Sequence, residues 1–263
     1  MQAALTSLHT LATLIFVGGS ALVGTRLVLL ARRTGQAPEL LLGSAILLTA
    51  VFGYGVLIAN LLVRGLDPDP ASVTPLAQAL SGAGKSLHDL GVVCFLVFVL
   101  RVFRPGETWA RLLAGLMIAL LGVGLLGQAV ATGFRTDAVG SAFWLCEYLV
   151  IWTYPFWLTA ESLRWWRLMR RRVALGLADP LVTNRFLLWG LGSVFTLLAI
   201  WIASVPYLLV SDVAAMVSIT PAVRVATAVV GLASISCSYL AFLPPGWYAR
   251  RVRAAAAQPA AAG

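Results

Sequence analysis

Residues 76–103 read LAQALSGAGKSLHDLGVVCFLVFVLRVF, an apolar run that contains a lysine, a histidine and an aspartate. The run is long enough to cross a bilayer as one helix, which takes about 20 predominantly apolar residues. A charged side chain at membrane depth costs roughly 2.5–3.5 kcal/mol on insertion scales. Lys85, His88 and Asp89 are therefore expected to face the interior of a helix bundle, where a partner, water or a ligand compensates them.

The rest of the chain repeats this apolar pattern. Hydrophobic residues make up 60% of the sequence and charged residues only 11%, far from the composition of soluble proteins. The sequence predicts an all-α polytopic membrane protein with one domain over 1–253 and a flexible tail over 254–263. Seven transmembrane helices are expected at about 5–31, 38–63, 76–103, 109–131, 141–163, 181–210 and 221–243.

The arginines predict the orientation. They concentrate at alternate helix ends, above all in the segment Arg164–Arg172, whereas the opposite loops hold only Arg64 and Arg135. Cytoplasmic loops of membrane proteins carry such an excess. We expect the N-terminus outside, the C-terminus inside and a multi-pass protein of the bacterial inner membrane. The net charge of +9 then reflects the orientation of the chain in the membrane, and we expect no nucleic-acid partner. The basic loop Arg164–Arg172 could bind a cytoplasmic protein.

An internal repeat is suggested by two similar tetrapeptides. Ser72-Val73-Thr74-Pro75 precedes the third helix and Ser218-Ile219-Thr220-Pro221 the seventh, and both helices end near a Pro-Gly pair. These matches predict a parallel 3+1+3 repeat, with repeat 1 at about 5–105, a linker helix at 109–131 and repeat 2 at about 141–246. The alternative is that loop composition converges at helix ends.

Two resemblances follow from these features. The 3+1+3 order and the orientation resemble, in topology only, microbial rhodopsins and the semi-symmetric sugar carriers. The phrases Arg101-Val102-Phe103-Arg104-Pro105 and Ala241-Phe242-Leu243-Pro244-Pro245 resemble uncharacterised bacterial seven-helix proteins. Neither resemblance implies an activity. The sequence departs from the retinal proteins because the seventh helix has no lysine for a Schiff base.

The predicted site surrounds the third helix. Lys85, His88 and Asp89 share one helical face, and Glu147 and Gln128 reach a similar outer level on the fifth and fourth helices, with Lys85–Glu147 expected as an ion pair. Ser234 on the seventh helix is a candidate partner for His88. One interpretation is a static network. The other is a ligand or proton site, because histidine ordinarily changes charge near neutral pH.

Three further residues are expected to gate or bend the bundle. Pro155 should kink the fifth helix next to Tyr154, and Arg224 is either a snorkelling side chain or an outer gate. The fourth helix is rich in glycine, which favours close packing with its neighbours.

Cofactor and enzyme hypotheses are disfavoured. Gly84-Lys85-Ser86 ends like a phosphate-binding loop, but Ala79 occupies the first glycine position. Retinal on Lys85 and haem b between His9 and His88 are disfavoured too, the latter because the two histidines differ in depth by about 15 Å. We expect no cofactor, no metal and no enzyme, because no nucleophile or metal cluster is visible. The remaining functions are a sensor or receptor for a small ligand or proton, a small-solute or proton-coupled carrier, and a structural membrane protein with a static ion-pair network.

Overall fold

The structure, a computed structural model, describes residues 2–65, 73–135, 140–209 and 213–257, and these residues are helical apart from short connections. The helices, in chain order, are α1 (Gln2–Thr34), α2 (Ala37–Ile46), a π-helix (Leu47–Gly53), α3 (Tyr54–Gly65), α4 (Pro75–Phe103), α5 (Thr108–Thr132), α6 (Ala142–Ala174), α7 (Pro180–Leu209), α8 (Val213–Phe242) and α9 (Gly246–Ala257). The all-α prediction is confirmed in this part of the chain.

Local sequence explains where α4 and α5 begin and end. Thr74 caps α4, since its hydroxyl accepts a hydrogen bond from the backbone N–H of Ala77, and Pro75 occupies the first turn, where its missing N–H costs nothing. Gly106 with φ of +85° makes the turn into α5, and Gly133 with φ of +57° closes that helix. The α4 boundaries lie within a residue of the predicted ones.

Among the described residues, six helices are long and apolar enough to cross a membrane, which supports a multi-pass membrane protein. They are Ser7–Thr34, Ala37–Arg64, Pro75–Phe103, Thr108–Thr132, Pro180–Pro206 and Ile219–Phe242. Many large apolar side chains on them are exposed, among them Leu14 at 65% and Leu126 at 67%, as expected of surfaces that face lipid. The predicted fifth span corresponds to α6, which has 33 residues but is not one of the six.

Two sequence-based expectations about helix ends need correction. The basic segment Arg164–Arg172 is not a loop but the continuation of α6, which ends only at Ala174. The last long helix begins at Val213, so Pro221 lies inside α8, whereas Pro75 lies at the start of α4. The two similar tetrapeptides therefore do not occupy equivalent positions, and the repeat stays a prediction. Within the predicted flexible tail, 254–257 are helical, and 258–263 lie outside the described residues.

The chain divides into two compact units. Unit 1 comprises Met1–Gly19, Pro155–Ala203 and Ile219–Gly263; unit 2 comprises Ser20–Tyr154 and Ser204–Ser218. In unit 2, α4 packs against α2, the π-helix, α3 and α5. In unit 1, a chain of ring contacts joins Trp165, Phe186, Trp189 and Phe242. This division into two compact units does not test the prediction of a single membrane domain.

Candidate functional site

A hydrogen-bonded chain of three polar side chains joins α4, α5 and α6 within unit 2. Lys85 donates from Nζ to Oε1 of Gln128 at 2.6 Å, and Gln128 donates from Nε2 to Oε2 of Glu147 at 2.5 Å. Lys85 Nζ also lies 3.7 Å from Glu147 Oε2, the ion pair expected from the sequence. Gln128 is only 1% exposed and Glu147 only 3%. Each end of the Gln128 amide meets a complementary group, so this part of the site is internally satisfied.

Glycines on α5 allow α6 to approach closely enough for this contact. A Cβ atom on Gly124 would lie 2.9 Å from the carbonyl oxygen of Phe143 and 3.0 Å from Cβ of Glu147, and one on Gly127 would clash with the Phe143 ring. Gly122, on the same helix, has open space around its Cβ position. The expected close packing of the glycine-rich helix is thus found at the two glycines nearest Gln128.

Asp89 differs from Glu147 because it is buried without compensation. It is 5% exposed, and in the described part of the chain neither of its carboxylate oxygens accepts a hydrogen bond. The nearest ionisable contact is with the preceding residue, since His88 Nδ1 lies 3.5 Å from Asp89 Oδ1. A buried polar group that lacks a hydrogen bond costs about 1–3 kcal/mol, and a charged one more. Asp89 therefore points to a group that the described part of the protein does not supply.

A π-helix packs directly behind His88. Gly53 ends the π-helix, and a Cβ atom there would lie 2.9 Å from the backbone nitrogen of His88. On α4, a Cβ atom on Gly91 would lie 2.9 Å from the backbone nitrogen of Thr49, within the π-helix. π-Helical turns are rare and occur frequently at functional sites. The sequence reasoning missed this element, and the only signal for it was the pair Gly53 and Gly55 inside an apolar run.

Aromatic contacts fix α6 around Glu147. Trp144 stacks on Tyr148 with ring centroids 3.9 Å apart, and Trp152 donates from Nε1 to the hydroxyl of Ser204 on α7 at 3.0 Å. Tyr154 stacks on Phe95 of α4 at 5.5 Å. The contacts of Trp152 with α7 and of Tyr154 with α4 join α6 to its neighbours and so constrain which face of α6, and with it the carboxylate of Glu147, turns toward α4.

The remaining predicted site residues belong to unit 1. Ser234 shares a hydrogen bond with the hydroxyl of Thr196 at 2.8 Å and donates to the carbonyl of Gly192 at 3.0 Å, which satisfies it within that unit. Pro155 is fully buried inside α6, and Arg224 is exposed on α8. Their predicted roles as a kink and a gate stay predictions.

The residues that do lie together form one cluster, Lys85, His88, Asp89, Gln128 and Glu147, which we call the polar cluster. Lys85, His88 and Asp89 of α4 all lie within electrostatic range of the Glu147 carboxyl group. Besides the imidazole of His88 and the amide of Gln128, the cluster holds two carboxyl groups and one amino group, so its carboxyl groups outnumber its amino group.

The fold and the cluster define a class of protein: a multi-pass helical membrane protein with a buried, charged polar site. Among the described residues, no group of three histidine, cysteine, aspartate or glutamate side chains is placed to hold a metal ion. No family model, no curated protein and no solved structure shows a significant match to the chain.

Proposed function

We propose that the chain is an integral membrane protein of the bacterial inner membrane that crosses the bilayer seven times, with the N-terminus outside and the C-terminus inside. The six apolar helices support the multi-pass part of this statement. The seventh crossing is α6, whose glutamates and many tryptophan and tyrosine residues lower its hydropathy although its 33 residues exceed the length required. Trp and Tyr are favoured at both membrane interfaces, so they do not argue against a crossing.

The polar cluster is proposed to bind a proton or a small cationic ligand in a sensor-like role. The observation that carries this proposal is the buried Asp89 carboxylate, to which the described protein donates no hydrogen bond. A purely static network would be expected to satisfy Asp89 as it satisfies Glu147. In this proposal the hydrogen-bonded chain Lys85–Gln128–Glu147 holds the helices in place, and Asp89 with the adjacent His88 binds the proton or ligand.

A route from the site to the predicted cytoplasmic side is offered by α6. One continuous helix carries both Glu147 and the basic segment Arg164–Arg172. A change of charge at Asp89 alters the field at Glu147, and a displacement of α6 would then reach its basic end. This connection supports a sensor that signals through a partner, and it needs no effector domain within the described chain.

The test is the titration of Asp89 in the reconstituted protein. In nanodiscs, the pH-difference infrared spectrum of the wild type should contain the carbonyl band of a protonated buried carboxylic acid, and Asp89→Asn should remove it. Asp179→Asn is the matched control, because Asp179 is exposed before α7. A spectrum that Asp89→Asn leaves unchanged would contradict the proposal.

A carrier is the second candidate, and the π-helix favours it. The π-helix lies within the continuous span Ala37–Arg64, and π-helical turns inside helices frequently mark functional sites such as the binding site of a carrier. Proteoliposomes that contain a pH-sensitive dye distinguish the two functions. Proton flux that Asp89→Asn abolishes would support the carrier over the sensor, whereas Asp89 titration without flux supports the sensor.

A further inference from the structure

A second charged site lies on the C-terminal half of α6, in unit 1 and away from the polar cluster in sequence. A cavity of ≈ 470 Å³ is lined there by Ala160, Leu163, Arg164, Arg167, Leu168 and Arg171. We call it the arginine groove. Its arginines are spaced i, i+3 and i+7, so they project from one face of the helix.

The arginine groove combines positive charge with an apolar wall. Arg164, Arg167 and Arg171 are exposed, and Leu168 is 43% exposed beside them. Glu161, one turn earlier, is buried and lies 4.0 Å from Arg164, so at most one of the three guanidinium groups is compensated by it. Guanidinium groups bind phosphate oxygens in a bidentate manner, and the leucines offer a surface to an acyl chain.

Two tryptophans place the groove at the level of lipid headgroups. Trp165 stacks on Phe186, and Trp166 lies under the guanidinium of Arg170 at 5.1 Å. Tryptophan is enriched at the membrane–water interface. Because α6 changes at this point from an apolar to a basic sequence, a ligand in the groove meets hydrocarbon on one side and water on the other.

We propose that the arginine groove binds the phosphate of an anionic phospholipid, with the acyl chain against Leu163 and Leu168. Basic pockets beside transmembrane helices on the cytoplasmic side bind such headgroups. A free phosphate compound would engage the same arginines but leave the leucines exposed to water. The apolar wall therefore favours the lipid as the source of the phosphate.

The experiment measures the affinity of the purified full chain in neutral detergent for a short-chain fluorescent phosphatidylglycerol. Since an arginine that hydrogen-bonds the lipid phosphate directly contributes at least about a fivefold gain in affinity, the variant Arg164→Gln/Arg167→Gln/Arg171→Gln should bind on the order of 100-fold more weakly. The matched control Arg172→Gln/Arg251→Gln/Arg253→Gln loses the same charge at exposed arginines outside the groove and should change the affinity by less than about threefold. Equal losses in both triple variants would overturn the proposal, because the binding would then depend on diffuse charge.

Two further arms distinguish the source and guard against misfolding. Unlabelled phosphatidylglycerol should displace the probe, whereas phosphatidylcholine, glycerol phosphate and inorganic phosphate should not. Displacement by inorganic phosphate at the same concentration as the lipid would overturn the lipid assignment. The double variant Arg167→Gln/Arg171→Gln keeps the Arg164–Glu161 pair and should still lose about 25-fold in affinity. Full affinity in this variant would count against the groove.

Discussion

Removal of the Lys85 ammonium group is the most direct test of the polar cluster. Lys85→Met keeps an unbranched apolar stem one atom shorter than that of lysine, but Glu147 loses the cation 3.7 Å from its carboxylate. At that distance and an effective dielectric constant of about 20, two unit charges attract by about 4.5 kcal/mol. Removing one partner of a buried pair costs about 3–5 kcal/mol in other proteins, because the remaining charge stays buried and uncompensated. We therefore expect Lys85→Met to lower the free energy of unfolding by about 3–5 kcal/mol.

The double variant Lys85→Met/Glu147→Gln makes this prediction specific. The double variant removes both charges, while Gln128 keeps a polar neighbour on α6. Most of the decrease in the free energy of unfolding seen in Lys85→Met should therefore be recovered, with a coupling free energy of about 3 kcal/mol between the two positions. Unfolding in mixed micelles with increasing dodecyl sulfate, followed by tryptophan fluorescence, measures the four free energies of the cycle. Ser86→Met is the control for a methionine at this level of α4, because Ser86 is exposed. Single and double losses that add within about 0.5 kcal/mol would refute the coupled network.

Three further perturbations test the packing around the cluster. Gly124→Ala should destabilise the protein by about 1–3 kcal/mol, because the added Cβ would approach a backbone carbonyl of α6. The control Gly122→Ala places its Cβ in open space and should be neutral or stabilising. Equal effects of the two substitutions in the same unfolding assay would contradict the close contact at Gly124. Gly53→Ala should cost a similar amount, since its Cβ would meet the backbone of α4, and Gly55→Ala is its control with no neighbour within 4 Å. Asp89→Asn should raise the free energy of unfolding by about 1–3 kcal/mol, as the loss of an unsatisfied buried charge relieves its desolvation; a destabilised variant would show that Asp89 has a partner.

The helices of unit 2 could be predicted well from the sequence, because their signals are local. Thr74-Pro75 predicts the start of α4, because threonine caps a helix N-terminus and proline fits its first turn, and Pro105-Gly106 predicts its end. The hydropathy of each apolar segment follows from the sequence alone and does not depend on how the helices pack. Helix ends were mispredicted where local signals conflict: Arg164–Arg172 is polar but has high helix propensity and continues α6, and Pro221 lies inside α8 rather than at its start.

The site was predictable in part, for the same reason. Charges in an apolar run must turn inward, so Lys85, His88 and Asp89 could be singled out, and helical rise places Glu147 and Gln128 at a comparable depth. The order of the hydrogen bonds could not be foreseen, because it depends on which face α6 turns toward α5. Close packing at Gly124 of α5 and the stacking of Tyr154 on Phe95 of α4 constrain that rotation.

The sequence by itself determined that this protein is helical, membrane-like and charged at one depth of its third apolar helix. Composition and periodicity act over a few turns, and they suffice for those features. Only the tertiary structure decided that Gln128 bridges Lys85 to Glu147, that a π-helix lies behind His88, and that Asp89 accepts no hydrogen bond from the described residues. Each of these depends on how separate helices meet, and the difference between the satisfied Glu147 and the unsatisfied Asp89 exists only at those contacts.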